Sequence, residues 1–175
     1  MKNLVITGPP RCGKTTLIKK ISQQPQLRSK LGGFITEEIR EKGERQGFKI
    51  ISLPEGETGV LAQKEHVSMY RVGRYGVNID DLETVGCGAL EQALSSGNIV
   101  VIDEIGKMEL FSKKFKTLLV KALDSPHPVL ATIMEKRNGF ADKIKKRKDV
   151  ECVLLHRKNF DTVLAKVRTW INHHL

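Results

Sequence analysis

The chain has 175 residues, of which 39% are hydrophobic and 29% charged, with 30 Lys and Arg against 20 Asp and Glu. That length suits one domain, residues 1–175, and the balance excludes a disordered tail and a membrane-embedded chain. A formal charge of +10 predicts attraction to anions: nucleotides, nucleic acid or acidic lipid.

Residues 1–7 carry only a short apolar run, too short for a signal peptide. No stretch approaches the ~18 apolar residues of a membrane helix. Cys12, Cys87 and Cys152 form no close pair and no metal-ligand spacing, so a reduced environment suits them better than a disulfide framework or zinc. The expectation is a soluble, cytoplasmic monomer without a membrane partner.

Residues 4–7 are an apolar run ending in glycine and read as a strand buried on both faces. Residues 15–23 follow as a helix with Leu17, Ile18 and Ile21 on one side. Segments 33–36 and 47–53 read as a hairpin around a charged turn, with a third short strand at 58–62. Residues 66–78, with their glycines and arginines, read as a loop. A helix is expected over 80–94, capped by Asp80 with Glu83 three residues on. An apolar strand at 98–102 runs into Asp103-Glu104, and Ser112 reads as the N-cap of an amphipathic helix. Strands at 128–133 and 152–155, a basic helix at 140–148 and a final helix at 160–173 complete the pattern. Strands alternating with helices predict an α/β fold with a mostly parallel sheet covered on both faces. The 33–63 hairpin is then an insertion or an edge extension.

Gly8-Pro9-Pro10-Arg11-Cys12-Gly13-Lys14-Thr15 matches the phosphate-loop pattern G-x-x-x-x-G-K-[ST] in full, and Thr16 follows. The chemistry requires that arrangement. Backbone N–H groups wrap a phosphate, so side chains must not crowd the glycines, and the next helix aims its positive end at the same anion. Lys14 is placed to reach the β- and γ-oxygens, and the Thr15 hydroxyl to ligate Mg²⁺. A buried strand before the loop and an amphipathic helix after it outweigh a chance match.

Residues 99–104 are an apolar strand ending in two carboxylates. Beside a phosphate loop, Asp103 would hold the metal, and Glu104 would act as general base for an attacking water. A second acid next to the metal aspartate favours hydrolysis over transfer to another molecule.

Together, residues 7–18, 33–40, 47–48, 71–77 and 101–111 resemble the THEP-type, or cancer-related, nucleoside-triphosphatase family. The most specific run is Asp103-Glu104-Ile105-Gly106-Lys107-Met108-Glu109-Leu110. The matches run in order over about the first two thirds of the chain, and the last third shares the strand–helix pattern. The resemblance implies a RecA-like P-loop fold in which a further strand, here 129–133, separates the phosphate-loop strand from the metal-aspartate strand. It implies slow, Mg²⁺-dependent hydrolysis of ATP, GTP and other nucleoside triphosphates, with Glu104 as the water-activating acid.

Other residues are candidates for neighbouring roles. Arg71 or Arg74, on a glycine-rich loop, would offset charge on the γ-phosphate. Lys107 is a candidate γ-phosphate ligand, the alternative being a surface pair with Glu109. Thr132, near a strand end, is a candidate γ-phosphate sensor. Cys12 is an oxidisable and non-catalytic member of the loop. The basic segment 136–148 is a weaker nucleic-acid candidate, because Phe140 is its one aromatic and stacking platforms need more. A nucleotide or nucleoside kinase and a nucleotide-switched RNA- or protein-binding module are the alternative functions.

Overall fold

A computed structural model describes residues 1–175. Nine strands form one sheet: β1 (Asn3–Gly8), β2 (Leu31–Glu41), β3 (Glu44–Leu53), β4 (Thr58–Gln63), β5 (Arg71–Val72), β6 (Tyr75–Val77), β7 (Ile99–Ile105), β8 (Val129–Met134) and β9 (Val150–Leu154). Their order across the sheet is β5-β6-β4-β3-β2-β7-β8-β1-β9. Strands β2, β7, β8, β1 and β9 pair in parallel, and β3 to β6 extend the sheet antiparallel. The strand at β8 does separate β1 from β7, as the family resemblance implied.

The helices are α1 (Lys14–Ser22), α2 (Ile79–Asp81), α3 (Gly88–Ser96), α4 (Lys113–Asp124), α5 (Gly139–Lys145) and α6 (Phe160–His174). They cover both faces because the central strands carry apolar side chains on both sides. Leu4, Ile6, Ile99, Val101 and Leu130 turn one way and pack with Leu17, Ile18 and Ile21 of α1 and Val163, Val167 and Ile171 of α6. Val5, Val100, Ile102, Val129 and Ala131 turn the other way, onto α3, α4 and α5 through residues such as Leu90, Phe115, Leu119 and Ile144. That two-sided burial is the physical signature of parallel strands under crossover helices.

The structure corrects three sequence expectations. The 33–63 segment is more than an insertion, because Leu31–Phe34 of β2 pairs in parallel with Ile99–Ile102 of β7 and forms a fifth core strand. Gly33, at φ 101°, permits this pairing, since a side chain there would collide with the Val101 carbonyl. Second, residues 71–77 form the small β5–β6 hairpin and not a loop. Third, the helix expected to be capped by Asp80 starts at Ile79 and is capped by Asn78, whose Oδ1 accepts from the Asp81 N–H at 3.0 Å. Asp81 turns instead to accept from the Val60 N–H at 2.7 Å, tying the helix to β4. Between α2 and α3 the turns widen into a π-helical run over Leu82–Cys87. There Gly86 lies so close to Ile50 that a Cβ would stand 2.7 Å from its Cδ1. Ser112 does cap α4, accepting from the Phe115 N–H at 3.0 Å. Asn138 caps α5 in the same manner.

Candidate functional site

The phosphate loop leaves the carboxyl end of β1 at Gly8, where an added Cβ would collide with the Leu155 carbonyl and stand 2.8 Å from the Cys12 sulfur. Gly13 precedes α1 at φ 108°, with the Phe160 ring 3.2 Å from where a Cβ would sit. No side chain caps α1 and no acidic residue occupies its first turn. Its first N–H groups and the positive end of its dipole are therefore free to receive an anion. Lys14 Nζ donates to the Gly8 carbonyl at 2.7 Å and the Pro9 carbonyl at 3.4 Å, and lies 3.7 Å from Glu104 Oε2.

Asp103 stands at the end of β7 and is fully buried. Oδ1 accepts from Thr132 Oγ1 at 2.6 Å and Thr15 Oγ1 at 3.2 Å, and Oδ2 from Thr36 Oγ1 at 3.3 Å. Burial pushes its carboxyl above the ordinary value, and the three threonines oppose that rise. Thr132 thus orients the aspartate, which corrects its expected role as a γ-phosphate sensor: its hydroxyl is buried and spent on Asp103.

A hydroxyl and a carboxylate converging from Thr15 and Asp103 are hard oxygen donors of the kind that bind Mg²⁺. The chain offers no cluster of three or more His, Cys, Asp or Glu as a cage. The donor set fits an ion that arrives with substrate phosphates and keeps few protein ligands.

A cleft of about 990 Å³ runs from the phosphate loop across the end of β7 to the β3–β4 hairpin. Glu104 lines it, and burial raises its pKa; Lys14 opposes the rise and Asp103 adds to it. Of the loop residues, Gly8, Pro10, Arg11, Gly13, Lys14, Thr15 and Thr16 line the cleft. Pro9 contributes its carbonyl to Lys14, and Cys12 is buried against Gly8. Lys107 lines the cleft as expected. Its suggested surface pairing with Glu109 does not form: Lys107 is exposed, while Glu109 is 4% exposed and lines the same cleft. Burial pushes the Glu109 carboxyl well above its usual value, and the Glu104 charge pushes it further.

Arg71 and Arg74 are not brought to the loop. Arg71 donates to the His66 and Arg74 carbonyls, Arg74 lies 3.7 Å from Glu44, and neither lines the cleft. Besides Arg11 of the phosphate loop, the arginine that lines it is Arg45, which sequence reasoning passed over as part of a charged turn. Glu109, read only as a surface partner for Lys107, was also missed as a buried residue of the cleft. Within the basic segment, Arg147 bridges Asp124 and Asp149, and Lys145 pairs with Asp142.

A family profile described as NTPase matches residues 3–168. A protein from Thermotoga sp. (strain RQ2), called nucleoside-triphosphatase THEP1, is 49% identical over 164 residues, covering 94% of this chain and 92% of that protein. A Methanocaldococcus jannaschii protein of the same name is 38% identical, with 94% and 96% covered. The crystal structure of THEP1 from Aquifex aeolicus superposes with a TM-score of 0.85 at 36% identity, over 94% of this chain and 96% of that one. The solution structure of a human cancer-related nucleoside triphosphatase gives 0.84 at 32% identity, over the whole of both chains. With the phosphate loop, the buried aspartate and the adjoining glutamate in one cleft, these likenesses establish that the chain belongs to the NTPase family of THEP1-type nucleoside-triphosphatases.

Proposed function

We propose that the chain hydrolyses nucleoside 5′-triphosphates, ATP and GTP among them, to the diphosphate and phosphate, with Mg²⁺ required. The observation that carries this is the convergence of Lys14, Thr15, Asp103 and Glu104 on one cleft. Backbone N–H groups from Gly8 to Thr15 hold the phosphates. Lys14 moves from the Gly8 carbonyl to the β- and γ-oxygens and neutralises charge that builds as the terminal bond breaks. Glu104 accepts the proton of the attacking water, and its raised pKa brings it nearer to a neutral working pH. Thr15 and Asp103 would hold Mg²⁺, which supplies charge neutralisation at the phosphate oxygens when bound.

Every contact in this scheme is to phosphate, which supports broad base specificity. Turnover is slow in this reading, because Arg71 and Arg74 are held on backbone carbonyls and Glu44 and an arginine on the γ-phosphate is worth ~10³–10⁵ in rate. The three free cysteines support a reducing cytoplasmic setting, and we take the working unit to be the monomer.

The test is phosphate release from ATP, GTP, CTP and UTP by the native chain and by Glu104→Gln. Removal of a general base lowers the rate by ~10²–10⁴ while nucleotide binding persists. A Glu104→Gln chain that hydrolyses at the native rate removes Glu104 from the mechanism.

A further inference from the structure

The cleft is longer than its phosphate chemistry requires. At about 990 Å³ it reaches the top of the ~300–1,000 Å³ range of single-ligand sites. Its two ends differ in kind. One end is the phosphate loop. The other, on the far side of Glu104, is walled by Phe48, Leu61, Val72 and Met108. The strand order places this apolar end beyond β7 and β2, across the sheet from β1. In-line displacement requires the attacking oxygen to approach the γ-phosphorus opposite the leaving diphosphate. Glu104, 3.7 Å from Lys14, stands between the phosphate loop and that apolar end.

Arg45 closes the apolar end, and two hydrogen bonds set its direction. Its Nε donates to Tyr75 Oη at 2.9 Å and one terminal nitrogen to Glu38 at 3.2 Å. The guanidinium lies 4.9 Å from the Phe48 ring centre and 5.4 Å from that of Tyr75. Its second terminal nitrogen has no protein partner. Arg11, Lys14, Lys19, Arg45, Lys107 and Lys136 line the cleft against Glu37, Glu38, Glu104, Glu109 and Glu135; Glu38 is shared between Arg40 and Arg45, Glu37 is matched by Lys19 and Lys49, and Lys107 makes no ion pair. An apolar chamber with a fixed, partly free guanidinium and a spare lysine suits an apolar body bearing one negative group.

We propose that this end of the cleft is an acceptor subsite. It takes a small organic alcohol with an apolar body and one anionic group, and the enzyme transfers the γ-phosphoryl group to it. The alcohol oxygen bonds to the γ-phosphorus and the bond from that phosphorus to the β–γ bridging oxygen breaks. The electron pair leaves on the nucleoside diphosphate, and the hydroxyl proton passes to Glu104. Water takes the same path when the chamber is empty. The proposal rests on the hydrolase reading for the position of Glu104.

The probe is 4-(hydroxymethyl)benzoate, with an aromatic body, a primary alcohol and a carboxylate. Binding to the full chain is followed by ligand-observed NMR with a β,γ-imido ATP analogue saturating, and γ-labelled ATP with Mg²⁺ follows the phosphoryl group. The expected result is binding beside the analogue, weakened at least ~10-fold (about one charge-assisted bond) in Arg45→Met and in Val72→Glu. Thermal unfolding checks that both variants fold. Label from the γ-position of ATP should appear in an organic monoester at the expense of inorganic phosphate. Failure to bind, or equal binding by Arg45→Met, overturns the subsite. Displacement of the probe by the analogue makes the chamber part of the nucleotide site and also overturns it. Binding with all label in inorganic phosphate overturns the transfer. A chain that binds the probe but releases no phosphate from ATP alone defeats the hydrolase reading instead and leaves the subsite standing.

Discussion

Thr132→Val tests how the buried Asp103 carboxyl is supported inside the sheet. Thr132 and Asp103 are both fully buried, and their 2.6 Å bond is the shortest that Asp103 makes. Valine keeps the shape and removes the donor. Asp103 then retains Thr15 at 3.2 Å and Thr36 at 3.3 Å. A hydrogen bond to a charged acceptor contributes ~1.5–3 kcal/mol, so a loss of ~2 kcal/mol is expected at alkaline pH. For a chain of this size that lowers Tm by ~4–8 °C. Thr132→Ser keeps the hydroxyl and loses one methyl, at a cost of ~1 kcal/mol. Urea unfolding of Thr132→Val, Asp103→Asn and the double variant isolates the pair. A coupling above ~1 kcal/mol is expected for groups in one network. A coupling below ~0.5 kcal/mol, or a Thr132→Val chain as stable as the native one, would refute the argument that this hydroxyl supports the carboxylate.

Glu109 carries a pH prediction. Its folded pKa is raised well above 4.5 by burial and by the Glu104 charge, so the folded chain holds a proton that the unfolded chain releases. The stability from its neutral form is complete below the unfolded value and is lost as pH climbs toward the folded one. Asp103 and Glu104, also raised, tilt the curve the same way. Unfolding measured across the acid-to-neutral range should show Glu109→Gln with a shallower decline than the native chain, and an unchanged slope would show that Glu109 ionises freely. Gly13→Ala should weaken nucleotide binding, because a side chain is strained at φ 108° and its Cβ would press on the Phe160 ring at 3.2 Å; calorimetric titration with a triphosphate checks it. Leu119→Ala empties a fully buried site under α4 and should cost ~2–5 kcal/mol, read as a fall in the denaturation midpoint with nucleotide affinity retained.

How legible the site was in sequence depended on whether its residues are contiguous. The phosphate loop could be read outright because wrapping an anion needs consecutive N–H groups, two glycines and a lysine at fixed spacing. Asp103 and Glu104 could be read because a doubly buried strand has only one place for charge, its end. The arginine could not. Arg45, Arg71 and Arg74 all sit near glycines in charged stretches, and which of them faces the cleft depends on pairings between β3, β4, β5 and β6 that no local pattern encodes. Thr132 could be picked out by its place near a strand end, but not its bond to Asp103, which arises from β8 lying between β1 and β7. Among the elements, Ser112 announced α4 because capping is local chemistry. Leu31 and Gly32 were missed as the start of β2, because their parallel pairing with β7 bridges 68 residues of chain, as in Leu31 with Ile99.

Strand β2 has a consequence for which insertions and deletions the chain tolerates. Three successive residues are each committed to a different part of the site: Thr36 to Asp103, Glu37 to Lys19 of the phosphate-loop helix, and Glu38 to Arg45. Side chains alternate along a strand, so a slip of one residue reverses every one of those assignments at once. Upstream, the close approach of Gly33 to Val101 pins the strand. Downstream, the irregularity between Ile39 and Arg40 already absorbs a change of register. Length variation at the hairpin tip, residues 41–44, is therefore confined to the tip. A single residue gained or lost between Gly33 and Glu38 separates the aspartate, the phosphate-loop helix and the arginine from their partners together, while the apolar pattern that builds the sheet changes little.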